Sequence, residues 1–231
     1  MKKFILTSIF CTFAIINNSS AAENVQTLPA QENACAGFEK IRPRLRLRSS
    51  YGRLRYNRDY DTLNLGLMSE REGLKEDGMF TAGFSTVDFD WSVSLNTVSR
   101  TSGDVICVIP ASVEVFLGYQ NPTIYLSSDL DDKTCQYQTV LRHERQHQQI
   151  NIMVLDYYLP KLKQHFEENL KVLKARAVES EKDIDRTVDE MNETYVENIR
   201  DIVNRFQITL QLEQKRLDTR ENYTYESGLC R

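Results

Sequence analysis

The chemistry of this sequence is concentrated in residues 143–147, which read His-Glu-Arg-Gln-His and use two of the three histidines in the chain. On an α-helix, residues four apart share a face, so His143 and His147 can bind one metal ion. Zinc in a catalytic site takes three protein ligands and leaves a fourth position for water, whose pKa it lowers to roughly 7. Glu144 could accept the proton and pass it to a leaving amine. The motif predicts zinc-dependent hydrolysis of peptide or amide bonds, unless it is a chance match on a charged helix.

The N-terminus has the pattern of a secretory signal. Two lysines precede an apolar run over residues 4–16, which is too short to span a bilayer comfortably. Ser20-Ala21-Ala22 fits the small-x-small cleavage pattern. We predict a signal peptide at 1–22, a flexible leader at 23–34 and a periplasmic or secreted protein. The alternative is an N-terminal anchor that is not cleaved.

Length and charge limit the remaining choices. Cleavage after Ala22 leaves 231 − 22 residues, enough for one domain with its own core. The net charge changes from −4 to −6, because residues 1–22 contain two lysines and no acidic residue. This mild acidity argues against a nucleic-acid partner. No later segment approaches 18 apolar residues, so we predict no stable membrane insertion.

Four cysteines follow the signal: Cys35, Cys107, Cys135 and Cys230. An even number of cysteines in an exported chain predicts two disulfides. Of the three pairings, we favour Cys107–Cys135 with Cys35–Cys230, because the second bond would join the two ends of the mature chain. No two cysteines have the CxxC spacing, which argues against a cysteine zinc site.

The first half of the mature chain alternates apolar and polar residues, as strands do. The clearest case is 86–96, where every second residue from Val87 is apolar. Pro110 is expected to end one strand, and 118–122 to form a turn between two others. Several short strands in succession predict an antiparallel sheet. The predicted strands cover residues 41–48, 86–96, 105–109, 113–117 and 123–126.

After residue 130 the spacing of apolar residues becomes helical. A helix is predicted from Cys135 to about Tyr158, with a break, a kink or a new first turn at Pro160. Residues 161–227 contain no Gly or Pro, and apolar residues recur every three or four positions. A second helix could begin near Ser180 and Asp183, after a break near Val178. The alternative for this region is a coiled-coil homodimer.

Together these patterns predict a single α+β domain over 35–231, strand-rich at 35–130 and helical at 131–231. In this prediction an antiparallel sheet is followed by the HExxH helix and by long C-terminal helices.

HExxH directly after a strand resembles the zincin metallopeptidases. Further runs resemble a group of uncharacterised secreted bacterial proteins labelled predicted zinc-dependent proteases. These runs are Leu117-Gly118-Tyr119, Thr123-Ile124-Tyr125, Cys135, Val140-Leu141-Arg142-His143-Glu144 and the ending Asp218-Thr219-Arg220-Glu221-Asn222-Tyr223 with Cys230. The resemblance implies a zincin-like fold and a peptide substrate. It also implies that strand 123–126 pairs with the extended substrate.

The third metal ligand is not fixed by the motif. One zincin class has a histidine at the position of Met153, so that pattern is absent. Glu167, twenty residues after His147, has the spacing of another class and is our choice. His165 and Asp156 are alternatives, although Asp156 lies about 180° round a continuous helix from His147. A ligand from elsewhere in the chain also remains open.

Two further interpretations concern partners. Arginines recur between Arg42 and Arg58, and four of them would line one strand face. This face would bind an anionic envelope polymer or acidic peptide, or would simply be solvated. The rival to a peptidase acting on a peptide or cell-envelope substrate is a non-catalytic periplasmic module. In that case the long helices bind a partner or form a homodimer, and any zinc is structural.

Overall fold

The computed structural model describes residues 34–38, 40–71 and 81–230. The predicted signal peptide and the leader lie outside these ranges, apart from Ala34. Within the described ranges, none of the helices combines the length and the apolar character needed to cross a bilayer.

The protein has a mixed α/β fold in which one sheet packs against long helices. The helices are α1 (Thr62–Arg71), α2 (Cys135–Asn169), α3 (Ile184–Leu217) and α4 (Arg220–Gly228). The strands are β1 (Arg44–Ser50), β2 (Arg55–Asn57), β3 (Gly83–Ser102), β4 (Val105–Leu126) and β5 (Arg176–Val178). The division into strand-rich and helical halves is therefore only approximate, because α1 lies in the first half and β5 in the second.

The sheet is built around β4. On one edge β4 pairs along its length with β3, and the two strands form a hairpin whose turn contains Gly103 at φ +63°. On the other edge it pairs in succession with β5, β1 and β2. The pairings with β1 and β2 are parallel, so the predicted antiparallel sheet is wrong and the sheet is mixed. The residues between β2 and β4 include α1 and β3, and this long connection lets the chain return in the same direction.

Strand β4 runs through both positions where the sequence predicted an interruption. Pro110 lies at a register shift opposite Asn96 and Thr97, where a missing N–H is tolerated. Gly118 pairs with Ser50 of β1 in the middle of the strand. An added Cβ at Gly118 would lie 2.6 Å from the Ser50 nitrogen and closer still to its carbonyl oxygen. This glycine therefore permits close approach of β1 and does not form a turn.

The predicted substrate strand, 123–126, is the end of β4. It pairs with β2 on one edge and with the start of β3 on the other. Its backbone groups are therefore already used within the sheet, and the expectation that it binds an extended substrate is wrong.

Helices α2 and α3 cover one face of the sheet and form the main core with it. Helix α2 continues through Pro160, because buried Leu162 and Phe166 hold the following turns in place. The break near Val178 is confirmed: β5 ends there, and the Ser180 side chain caps a short 3-10 helix that leads into α3. The apolar stripe of α3 faces this core; its buried members are Met191, Tyr195, Ile199, Ile202, Val203 and Phe206.

The two disulfides form as predicted in number but with different partners. Cys35 bonds Cys107, and Cys135 bonds Cys230, with Cα–Cα distances of 5.7 and 5.5 Å. The favoured Cys107–Cys135 pair is excluded by β4. Cys107 lies near the start of this strand and Cys135 follows its end, and at about 3.3 Å per residue the strand between them is roughly 60 Å long.

Two glycine substitutions test the close packing of β1 on β4. We expect Gly118→Ala to lower the free energy of unfolding by about 1–3 kcal/mol, because its methyl group overlaps the Ser50 backbone. The matched control is Gly66→Ala in α1, where an added Cβ meets nothing within 4 Å. It should raise stability by up to about 1 kcal/mol through helix propensity. Urea denaturation of both variants measures the difference, and equal effects would contradict the packing.

Candidate metal centre

Helix α2 places the motif residues. Its first turn is capped by the Thr134 side chain, which accepts a hydrogen bond from Tyr137 N. From there the helix runs unbroken through the motif, so His143 and His147 point the same way. They face the junction of α3 and α4, whereas Leu141 on the same helix packs under the end of β4.

Three ligand atoms converge at this junction. His143 Nε2 and His147 Nε2 are 3.2 Å apart. Asp218 Oδ1 lies 3.1 Å from the first and 3.0 Å from the second. Ligand atoms of a tetrahedral zinc ion, at bond lengths of about 2.0–2.1 Å, stand about 3.3–3.4 Å apart. The spacing of the three atoms is therefore within a few tenths of an ångström of that in a zinc site, and they form the group among the described residues that could hold a metal ion.

The Nδ1 nitrogen of each histidine ring already has a hydrogen-bond partner. His143 Nδ1 lies 2.9 Å from Glu226 Oε2, and His147 Nδ1 lies 2.5 Å from Gln214 Oε1. The Gln214 amide nitrogen donates to His147 O and to Asn151 Oδ1, so its oxygen is the atom that faces the ring. Each Nδ1 therefore carries a hydrogen, and in the neutral rings each Nε2 presents a lone pair.

Two lone pairs and a carboxylate oxygen at this spacing repel one another unless a positive charge lies between them. Burial by itself lowers the pKa of His143 and of His147, but the hydrogen bonds to Asp218 and the nearby carboxylates outweigh it and raise both. Burial would raise the pKa of Asp218, yet the two rings hold it well below its usual range. The site thus favours a positive charge among the three atoms, and two nitrogens with one carboxylate oxygen are a donor set that zinc accepts.

Glu144 lies on the sheet side of the motif. It is only 4% exposed, and burial raises the pKa of its carboxyl to about 7, although the two histidines lower it. Its Oε2 has no hydrogen-bond partner among the described residues. The carboxylate stem packs against the start of β3, where a Cβ on Gly83 would come within 3.2 Å of Glu144 Cγ. The result is a buried carboxyl with one oxygen still available.

Asp218 joins two helices at the open side of the site. It ends α3, and the next residue, Thr219, caps α4 by accepting a hydrogen bond from Asn222 N. The Tyr223 hydroxyl donates to Asp218 Oδ1 at 2.8 Å, and its ring centroid lies 4.9 Å from that of His143. The Asp218 side chain is 36% exposed, whereas those of His143 and His147 are 5% and 13% exposed. Solvent and ligands therefore reach the site from the Asp218 side.

The three predicted candidates for the third ligand lie elsewhere. Glu167 is exposed and pairs with Lys163, His165 contacts the Asn198 carbonyl oxygen, and Asp156 accepts a hydrogen bond from Tyr51. The choice of Glu167 is wrong because α2 does not bend back after the motif. Twenty residues of continuous helix carry it about 30 Å along the axis from His147.

Sequence reasoning assigned no role to Asp218, Gln214, Tyr223 or Glu226. The run from Asp218 to Tyr223 was noted only as part of a resemblance. The usable signal was the cysteine pairing. A Cys135–Cys230 bond brings the C-terminal segment to the start of α2, two turns before His143, and so makes its acidic residues candidate ligands.

Comparisons with known proteins add no assignment: no protein-family model, curated protein or solved structure matches the chain. The zincin-like fold and the resemblance to predicted zinc-dependent proteases stay predictions.

The ligand assignment can be tested by comparing Asp218, the ligand seen in the structure, with Glu167, the ligand expected from the sequence. Asp218→Ala should abolish stoichiometric zinc binding, because it removes one of three ligands and leaves two neutral rings. Glu167→Ala should bind zinc as the wild type does, since Glu167 is exposed and remote. Mass-spectrometric metal analysis after equilibration with zinc measures both. Zinc loss in the Glu167 variant alone would overturn the assignment.

The orienting role of Glu226 gives a second prediction. Glu226→Ala leaves His143 Nδ1 without its acceptor and should weaken zinc binding about 10–100-fold. Glu226→Gln keeps an acceptor but loses the charge, so its zinc affinity should lie between those of the wild type and Glu226→Ala. The control is Glu221→Ala on the exposed side of the same helix. Competition with a chromophoric chelator gives the affinities, and an unchanged value for Glu226→Ala would contradict the role.

Proposed function

We propose that this protein is an exported zinc-dependent hydrolase of peptide or amide bonds. The observation that carries the proposal is the convergence of His143 Nε2, His147 Nε2 and Asp218 Oδ1, with both Nδ1 atoms held by other groups. Zinc bound there would polarise a substrate carbonyl and lower the pKa of a water molecule. Side chains of this protein would transfer the proton and stabilise the developing negative charge.

Glu144 is the proposed general base. It follows His143 directly in the helix, and it lies close enough to both histidines and Asp218 for their charges to shift its pKa. Its free oxygen can take a proton from the attacking water and return it to the departing nitrogen. Burial removes competing hydrogen bonds from solvent, so the carboxyl is available for this transfer.

Tyr223 is placed to assist at the open side. Its hydroxyl lies 2.8 Å from Asp218 Oδ1, the oxygen that faces the ligand site. If this single O–H turned from Asp218 to a bound substrate, it could stabilise the negative charge that develops on a carbonyl oxygen during attack. Tyr157 and Tyr158 are on later turns of α2, and Tyr158 hydrogen-bonds Thr209 of α3, a contact distant from the motif.

The start of β3 is the proposed substrate-binding edge. Among the described residues β3 pairs with no strand other than β4, so its outer edge is open to a further strand, although the Thr86 carbonyl oxygen accepts a hydrogen bond from Gln148. Gly83 of this strand lies against the Glu144 side chain, and the Ser85 hydroxyl donates to the Glu144 carbonyl oxygen at 3.2 Å. An extended peptide added here would run beside the general base. This edge takes the role that the sequence had given to 123–126.

Two disulfides and the lack of a bilayer-spanning helix in the described ranges are compatible with a periplasmic or secreted enzyme. The rival is a structural zinc site, which normally has four protein ligands. Three ligands are brought together in the described residues, and Glu226, a further carboxylate beside them, is engaged with His143 Nδ1. This open arrangement favours catalysis.

One substitution separates binding from chemistry. Glu144→Gln should keep one equivalent of zinc and lose at least about 100-fold in hydrolysis, because an amide cannot accept the proton. Zinc-loaded protein is incubated with a diverse peptide mixture, and products are identified by mass spectrometry. Glu167→Gln, which changes an exposed residue of the same helix, is the matched control. Hydrolysis by Glu144→Gln at the control rate would exclude Glu144 as the base, and zinc-loaded wild type without any product would favour the structural site.

A further inference from the structure

We propose that residues 218–230 form a redox-sensitive clamp that completes the metal site only while the Cys135–Cys230 disulfide is intact. We call this segment the C-terminal clamp. The inference rests on the proposed function only in taking the site to bind zinc, and it holds whether or not the bound metal supports hydrolysis.

The clamp supplies a large part of the site. Asp218 gives the third ligand atom, and Glu226 holds the outer nitrogen of His143. Tyr223 contacts Asp218 through its hydroxyl and His143 through its ring. If the clamp moves away, two histidines remain on α2 without their carboxylate partners, and a two-ligand site binds zinc weakly.

Apolar packing contributes little to holding the clamp in place. The only buried residue of α4 is Glu226, and Tyr225 and Leu229 are exposed. Helix α3 differs, because its buried stripe packs into the main core. The clamp is therefore held by its polar contacts with the site, by its covalent connection to α3 and by the disulfide.

The disulfide is positioned to set the distance between α4 and the histidines. Cys135 is the first residue of α2, two turns before His143, and Cys230 follows Glu226 by about one turn. The Cys230 sulfur also lies 3.2 Å from Thr139 Oγ1 on the same helix. With the bond intact, Glu226 stays opposite His143; with the bond broken, only the polar contacts and the packing of the Tyr223 ring on His143 oppose separation.

The two disulfides differ in accessibility. Cys135 and Cys230 are exposed, whereas Cys35 and Cys107 are 2% and 0% exposed. A dithiol reductant would transfer two electrons and two protons to the exposed S–S bond. This gives two cysteine thiols and converts the reductant to its own disulfide. In the folded protein the reductant reaches the clamp disulfide and not the buried one.

The direct test compares two double variants of the full mature chain. Cys135→Ser/Cys230→Ser should bind zinc about 10–100-fold more weakly than the wild type, the range expected when groups that orient metal ligands are lost. Cys35→Ser/Cys107→Ser, which lacks the buried disulfide, should keep wild-type affinity within about twofold. Zinc titration against a chromophoric chelator measures both, with circular dichroism to confirm folding. Wild-type affinity in the folded first variant, or equal losses in both, would overturn the clamp.

A second measurement needs neither variant nor metal. The wild type is treated with dithiothreitol, alkylated with iodoacetamide and desalted, so that neither thiols nor reductant can bind zinc. Peptide mapping should show alkylation of Cys135 and Cys230 but not of the other pair. Hydrogen exchange in the metal-free protein should then rise in 218–230 and stay unchanged in α3. Unchanged exchange in 218–230 would reject the clamp. In the zinc titration of the first test, oxidised wild type that binds no zinc would instead reject the proposed function.

Discussion

The structure depends on one electrostatic constraint: two imidazole nitrogens and a carboxylate oxygen are held together at distances where they need a shared positive charge, from a bound cation or from a proton. No local pattern could produce this arrangement, because it joins the middle of α2 to the end of α3. The hydrogen bonds behind the rings fix which nitrogens carry hydrogen, so the repulsion cannot be relieved by changing tautomer. The rest of the fold holds α2 and the end of α3 in place around these three atoms.

The sheet supplies the rigidity on the side of α2. The Gln148 amide donates to Ser85 Oγ at 2.8 Å and to the Thr86 carbonyl oxygen, which fixes the helix to β3 at the residue directly after the motif. Further along, the Tyr119 hydroxyl of β4 donates to the Asn151 carbonyl oxygen at 3.1 Å inside the core. A helix attached to two neighbouring strands cannot rotate about its axis, so the direction of the histidines is set by the sheet.

Local spacing predicted the part of the site that one helix can make, and distant contacts decided the rest. His143, Glu144 and His147 could be assigned because helical periodicity alone puts them together. Asp218 lies 71 residues after His147, and no periodicity links the two. The same division explains the sheet. Alternation predicts the strands, but Pro110 and Gly118 also predict breaks between them. The sequence does not show which residues of β3 and β1 will lie beside these two positions and accommodate them. The long helices and the break near Val178 followed from composition and capping residues, whereas the cysteine pairing depended on which ends of a long strand meet.

The wide separation of the ligands along the chain also sets an order of assembly. A polypeptide made from its N-terminus carries both histidines well before Asp218 and Cys230 are synthesised. An incomplete chain that ends before Asp218 lacks the third ligand atom and cannot form this group. The three ligand atoms therefore come together only once residues 218–230 have been synthesised and have folded against α2.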